Sequence, residues 1–369
     1  MRSILSTNPA STFTNAGADG ISRLVAVGER LFVNNIARNY ELVTPVAGPD
    51  GGLTLRRDAY HDVTSFPGED IPSQLDLDAH GVFERPDLGA LLVYDHHGRI
   101  RAFRYPPSSA GPLQQIGEWR MLGDTERVVM ARDCFITSSP RGQYSNDPPA
   151  SGIFVSEPLP ALRDAEEPPQ TLRQLHAHQA LADWGVVTAL TVSPDQTHLA
   201  VGAAGRVGLF TLAVRGTQLG LNACLWEAAV PCHVQWLALP ATGRQVLAGG
   251  YSLDANDHNG SSWDAARGGS VMAFGWGGEL RQQVAAPDNT AWGYAGNPLT
   301  LAPDGTTVYA VDRSAGLHAL DLTSGSLHAL FRPTAASASL GIGHAALLGG
   351  QLYAAYTRGG FRLFGFDLR

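Results

Sequence analysis

The sequence predicts an all-β fold: a seven-bladed β-propeller of four-stranded antiparallel blades, its ring closed by an N-terminal strand joining the C-terminal blade. Three observations carry this expectation. A strand–turn–strand unit recurs seven times along the chain. The composition is turn-rich, with 42 Gly and 23 Pro in 369 residues, short of a disordered or collagen-like range. The last unit also runs out of chain one strand early, while the N-terminal segment is free to supply that strand.

The units follow in order. The first blade, 20–62, has a hairpin over 24–33 turning at Gly28-Glu29, a third strand at 40–44 and an outer strand at 52–57. The second, 78–121, has its hairpin over 87–94, then strands at 99–104 and 113–120. The third, 126–178, has its hairpin over 128–136 and continues at 152–156 and 171–176. The fourth, 184–230, is the clearest: an apolar run, the turn Ser193-Pro194-Asp195-Gln196, a small-residue strand to Gly202, then 206–212 and 224–230. Pro sets φ at the second turn position and Asp or Gly completes the turn. The fifth, 232–287, repeats this around Pro240 and continues at 270–275 and 279–284. The sixth, 294–333, has Ala302-Pro303-Asp304-Gly305, then 316–322 and 326–332. The seventh, 340–369, has its hairpin over 346–353 and ends with 361–368; residues 1–15 supply its fourth strand, from 2–6 or 11–15. The second strands begin near Leu31, Leu91, Phe135, Leu199, Val246, Val308 and Leu352, at gaps of 44 to 64 residues, a blade period plus insertions. Outer strands are more polar, as blade edges require.

On the Ser193-Pro194-Asp195 and Ala302-Pro303-Asp304-Gly305 hairpins, the sequence resembles the WD-repeat and related seven-bladed propellers over nearly its whole length. The Gly-His and Trp-Asp pairs of that superfamily do not recur from unit to unit. Gly343-His344 precedes the last hairpin, and the only Trp-Asp pair, Trp263-Asp264, falls in a loop. The resemblance implies a fold, and no activity follows from it. Propellers of this kind often serve as subunits of multiprotein assemblies.

Composition excludes several chemistries. All 26 basic side chains are Arg, so Schiff-base chemistry, a Walker lysine and a lysine general base are ruled out. A net charge of −8 argues against direct nucleic-acid binding. Cys134, Cys224 and Cys232 read as reduced thiols, and only Cys224 and Cys232 could pair. The N-terminal apolar run is too short for a signal-peptide core, and no run approaches a membrane span. The expected setting is cytoplasmic, without membrane contact.

The unequal loops are where function is expected. Long insertions at 58–80, 138–151, 177–186, 251–269 and 286–297 are placed on the face of the blade-to-blade connections. The chief insertions opposite are 157–170 and 214–223. The first group holds twelve carboxylates, Asp58 and Asp288 among them, against Arg141 and Arg267. It also carries loop aromatics, which serve as interface anchors or pack as a satellite core. The expected partner-binding residues are Tyr60, Phe66, Tyr144, Trp184, Asp254, Asp257, Trp263, Asp264, Trp292 and Tyr294, and the expected partner is a protein with a basic surface.

Asp76-Leu77-Asp78-Ala79-His80, with its ligands at alternate positions, and His96 in Asp95-His96-His97-Gly98 form a candidate divalent-cation site from Asp76, Asp78, His80 and His96. The plainer reading makes these solvated turns, with Asp95 and Gly98 present for turn geometry. No nucleophile elbow, zinc-protease helix, paired C-x-x-C or dinucleotide fingerprint occurs, and no cofactor is expected. Two functions fit. The preferred one is a non-catalytic scaffold subunit binding partners through the acidic, aromatic face. The other is a lactonase-like propeller hydrolase using carboxylates of that face, with or without a divalent metal. The bulky aromatic loops favour the scaffold, because they would crowd an axial pocket.

Overall fold

The computed structural model describes residues 3–7, 21–35, 39–47, 53–62, 79–95, 98–107, 110–121, 125, 127–139, 152–162, 170–176, 181, 184–241, 244–253, 268–292, 296–333, 340–357 and 362–368. In chain order the strands begin with β1 (Ser3–Thr7). The first sheet then takes β2 (Ile21–Val27), β3 (Arg30–Asn35), β4 (Asn39–Ala47) and β5 (Leu53–Asp62). The second takes β6 (Ala79–Arg85), β7 (Ala90–Asp95), β8 (Arg99–Arg104) and, after the two-residue β9 (Gly111–Pro112), β10 (Gln115–Arg120). The third takes β11 (Arg127–Ala131), β12 (Cys134–Ser139), β13 (Gly152–Ser156) and, after β14 (Gln170–Thr171), β15 (Gln174–His176). A six-stranded sheet runs β16 (Val187–Val192), β17 (His198–Arg215), β18 (Gln218–Ala238), β19 (Gln245–Ser252), β20 (Gly269–Gly275) and β21 (Leu280–Ala285). The next takes β22 (Leu299–Leu301), β23 (Thr307–Val311), β24 (Leu317–Asp321) and β25 (Ser326–Phe331). The last joins β26 (Gly343–Leu348), β27 (Gln351–Tyr356) and β28 (Arg362–Asp367) to β1.

The fold is an all-β propeller, with first strands such as β2, β6, β11 and β16 standing side by side around a common centre. Its described residues form six sheets, and this corrects the expectation of seven blades of four strands. The expected boundary at residue 231 does not open. β18 pairs with β17 from Gln218 as far as His233, and with β19 from Cys232 onward. One strand is therefore the outer strand of the fourth unit and the inner strand of the fifth. Pro231 lies inside it at the bulge between the Ala204–His233 and Arg206–Ala229 pairs, where the ladder is already broken and the missing N–H removes no pairing. Gly250 permits the tight crossing there: a Cβ would lie 1.8 Å from the His233 carbonyl oxygen.

Two sheets also gain a fifth strand. β9 pairs in parallel with β5 through Ala59 and Tyr60, and β14 in parallel with β10 through Trp119 and Arg120. Each short segment comes from the following unit and covers the outer edge of the one before, satisfying backbone groups that an open edge exposes. β1 pairs antiparallel with β28 in the register Ser3–Phe366 to Thr7–Arg362. The alternative N-terminal strand at 11–15 lies outside the described residues.

The turn chemistry follows the sequence. In the two clearest hairpins Asp195 accepts from the Thr197 amide and Asp304 from the Thr306 amide, at 3.1 and 2.8 Å. The next position has positive φ in both, 59° at Gln196 and 75° at Gly305. Arg132 and Asp133 both take positive φ, as a two-residue hairpin turn of primed type requires. Gly349-Gly350 does the same.

The core lies between facing sheets. Tyr40, Leu91 and Phe103 pack in one such layer, Trp119 and Phe135 in the next, and Phe210 with Ile136 and Leu199 in a third. Burying each large side chain contributes about 1.5–3 kcal/mol. All three cysteines are free thiols, Cys134 and Cys232 buried and Cys224 exposed. No helix among the described residues is long and apolar enough to cross a membrane.

Candidate functional site

The loop residues singled out in the sequence divide into three groups. Phe66, Tyr144, Asp254, Asp257, Trp263, Asp264 and Tyr294, with the metal candidates Asp76, Asp78 and His96, lie outside the described residues. Tyr60 is in β5 and not in a loop; the Arg57 guanidinium sits 4.5 Å from its ring centre, a cation–π contact. Trp184 and Trp292 are core side chains. Trp184 meets Phe210 edge-on at 6.0 Å, and Trp292 is 0% exposed among Trp236, Leu299 and Val308. Their apolar rings are removed from water by neighbouring sheets, so neither stands on an open face.

Asp58, expected on the acidic rim, is also buried. Burial pushes its carboxyl up, but hydrogen bonds from Thr44, Arg56 and Arg30 hold it below the usual carboxylate range. His80 is 3% exposed, and its carbonyl accepts from Arg23 Nη2 at 2.8 Å. Asp95 and Gly98 serve the turn, as the plainer reading had it, but the turn is not solvated: Asp95 is 0% exposed. The Gly98 amide donates to the Asp95 carbonyl, the Arg99 amide to its carboxylate, and Gly98 takes φ 78°. Among the described residues no three of His, Cys, Asp and Glu converge as a cation would require.

Two concave sites were not foreseen. The larger is a cleft of about 410 Å³ on the face of the hairpin turns, between the Pro-Asp turn of the fourth unit and the Pro240 turn of the fifth. Pro194, Leu239, Pro240 and Trp276 give it an apolar surface; Asp195, His198 and Arg244 give it charge and hydrogen-bonding groups. The His198 ring meets Trp276 edge-on at 4.8 Å. Hydrogen bonds from the Ser193 and Thr197 hydroxyls hold the Asp195 carboxyl down to about 2, so it stays ionised. Both turns were legible in the sequence, but not their meeting. It arises because β18 carries the chain directly from one unit into the next.

The smaller is a cavity of about 100 Å³ at the inner strands, lined by Arg23, Arg127, Gln235, Trp236 and Asn297 among others. Arg127 donates from Nε to the Thr188 carbonyl at 2.8 Å and from Nη2 to Gln235 Oε1 at 2.9 Å. Asn297 bridges in parallel to His344. His344 is 1% exposed; burial, then the charges of Arg23 and Arg127, push its imidazole down to about 3. The signal in the sequence was a polar residue near the start of inner strands otherwise apolar: Arg23, Arg127, Gln235 and His344. It is weak in any one unit and becomes a site only when the ring brings the units together.

No family model and no curated protein sequence matches this chain. Solved structures do match in fold. The β-propeller domain of Cps50 (Swd1) from Myceliophteria thermophila is 12% identical with a TM-score of 0.56, covering 95% of this chain and 100% of that one. Sqt1 from Chaetomium thermophilum is 15% identical with a TM-score of 0.54, over 95% and 84%. A chain of the mitotic checkpoint complex is 13% identical with a TM-score of 0.55, over 94% and 86%. The chain therefore shares the β-propeller fold with these structures.

Proposed function

We propose that this protein is a non-catalytic interaction scaffold, a propeller subunit of a multiprotein assembly. The observation that carries the reading is the open cleft between the fourth and fifth units. It sets two prolines and a tryptophan beside His198, Asp195 and Arg244, an apolar surface with a few fixed polar groups that suits an extended peptide segment. β1 on β28 closes the ring in this reading, so that the faces are held rigidly and binding costs little ordering. The acidic segment with Asp254, Asp257, Trp263 and Asp264, which lies outside the described residues, adds a second contact that steers a partner with a basic surface. A structural neighbour solved as part of the mitotic checkpoint complex supports this use of the fold.

The hydrolase alternative rests on carboxylates of the long insertions, most of which lie outside the described residues. The test is affinity capture from native lysate at low salt with three proteins: wild type, Trp276→Ala, and a form lacking residues 254–267. A stoichiometric partner lost in either altered protein supports the scaffold. A partner retained by both, or none with wild type, overturns it and returns weight to the hydrolase.

A further inference from the structure

We propose that the cavity at the inner strands is a binding site for a small oxyanion of the phosphate class, held between the guanidinium groups of Arg23 and Arg127. The inference does not depend on the scaffold reading. Three observations carry it. Two arginines from separate sheets, β2 and β11, line one cavity, although the chain as a whole is acidic at −8. Both guanidinium groups are anchored, Arg23 on the His80 carbonyl and Arg127 on the Thr188 carbonyl and Gln235, and both residues line the cavity. Arginine's planar fork also matches tetrahedral oxyanions in geometry as well as charge.

Buried polar groups beside the arginines lack hydrogen-bond partners. His344 Nδ1 and Asn297 Oδ1 are both buried without one, and buried polar atoms of that kind are satisfied by a ligand or by water in most proteins. His344 is kept neutral there, so its imidazole has one N–H to donate. The Asn297 amide, turned over, offers an NH2. Asn297 lines the cavity with the two arginines, while His344 bridges to its backbone and is not itself part of the lining.

Size sets the ligand class. A cavity of about 100 Å³ falls well below the roughly 300–1,000 Å³ of sites that take drug-sized molecules. It has room for a tetrahedral ion.

The experiment titrates inorganic phosphate into the full-length protein, followed by thermal unfolding and by the ³¹P line width, with sodium chloride at matched ionic strength as control. The expected result is a saturable rise in Tm and broadening of the ³¹P resonance with phosphate, and neither a saturable rise with chloride nor broadening at 4 °C in denaturant. Arg23→Gln loses one guanidinium and weakens binding at least about tenfold, the loss expected for one charge-assisted hydrogen bond. Arg127→Gln is run beside it. Because Arg127 also braces Thr188 and Gln235, a folding failure there leaves Arg23→Gln and the wild-type line width to decide. Phosphate acting no differently from chloride, or binding Arg23→Gln as tightly as wild type, overturns the proposal.

Discussion

Asp95 and Arg101, six residues apart at the second-to-third strand turn of the second sheet, form an ion pair at 3.0 Å with both side chains 0% exposed. The turn following β23 repeats the spacing: Asp312 accepts from the Gly316 amide four residues on and meets His318 Nε2 six residues on. In each case a carboxylate at the end of a second strand gathers its turn and a basic side chain from the third.

Breaking the first pair from one side is expected to be costly. Arg101→Met leaves the Asp95 carboxylate buried and uncompensated, a loss of about 3–5 kcal/mol. The double variant Asp95→Asn/Arg101→Met restores part of it. Urea unfolding of Arg101→Met, Asp95→Asn and the double variant measures the coupling, and additive losses would show that the pair does not act as a unit.

The second turn is tested from its backbone. Gly316 leaves room for Asp312, since a Cβ there would lie 2.2 Å from Oδ2. Gly316→Ala therefore forces the carboxylate aside and is expected to approach the cost of Asp312→Ala, roughly 2–4 kcal/mol for the bonds from Gly316, Ser314 and His318. Unfolding of Gly316→Ala within experimental error of wild type would contradict this.

His344 predicts a pH dependence above the range where carboxylates titrate. Its imidazole is about 3 in the fold against about 6.5 unfolded. The unfolded chain therefore binds the proton more readily, and stability falls as pH falls below 6.5. Between pH 6.5 and 5 the loss from this group is roughly 1.5 kcal/mol. His344→Gln flattens that interval in urea titrations at each pH. An unchanged slope would mean that the group titrates normally.

The two tryptophan environments separate stability from binding. Trp292 is wholly buried, so Trp292→Ala is expected to cost about 3–5 kcal/mol. Trp276 lines the open cleft and is half-buried. Trp276→Ala is expected to leave the unfolding transition close to wild type, within roughly 1–2 kcal/mol, while abolishing partner capture. A large stability loss at Trp276 would make it a core residue.

The sequence by itself determined the all-β propeller, because its evidence is local. The Pro-Asp turns, the Asp195 and Asp304 side chains that close them, and the apolar strands on either side are read within a dozen residues. The pairing of an N-terminal strand with the last sheet was legible too, since the seventh unit was one strand short. The six-sheet organisation was not. Whether a strand ends at Pro231 or runs through it depends on β17 continuing to pair as far as His233, a contact about 30 residues away in sequence. Burial was likewise decided in three dimensions. Trp184, Trp292 and Asp58 read as surface residues because they fall near long insertions, yet neighbouring sheets cover them. Arg23, Arg127, Gln235 and Asn297 carry no local motif, and they line one cavity only because successive inner strands converge on one centre.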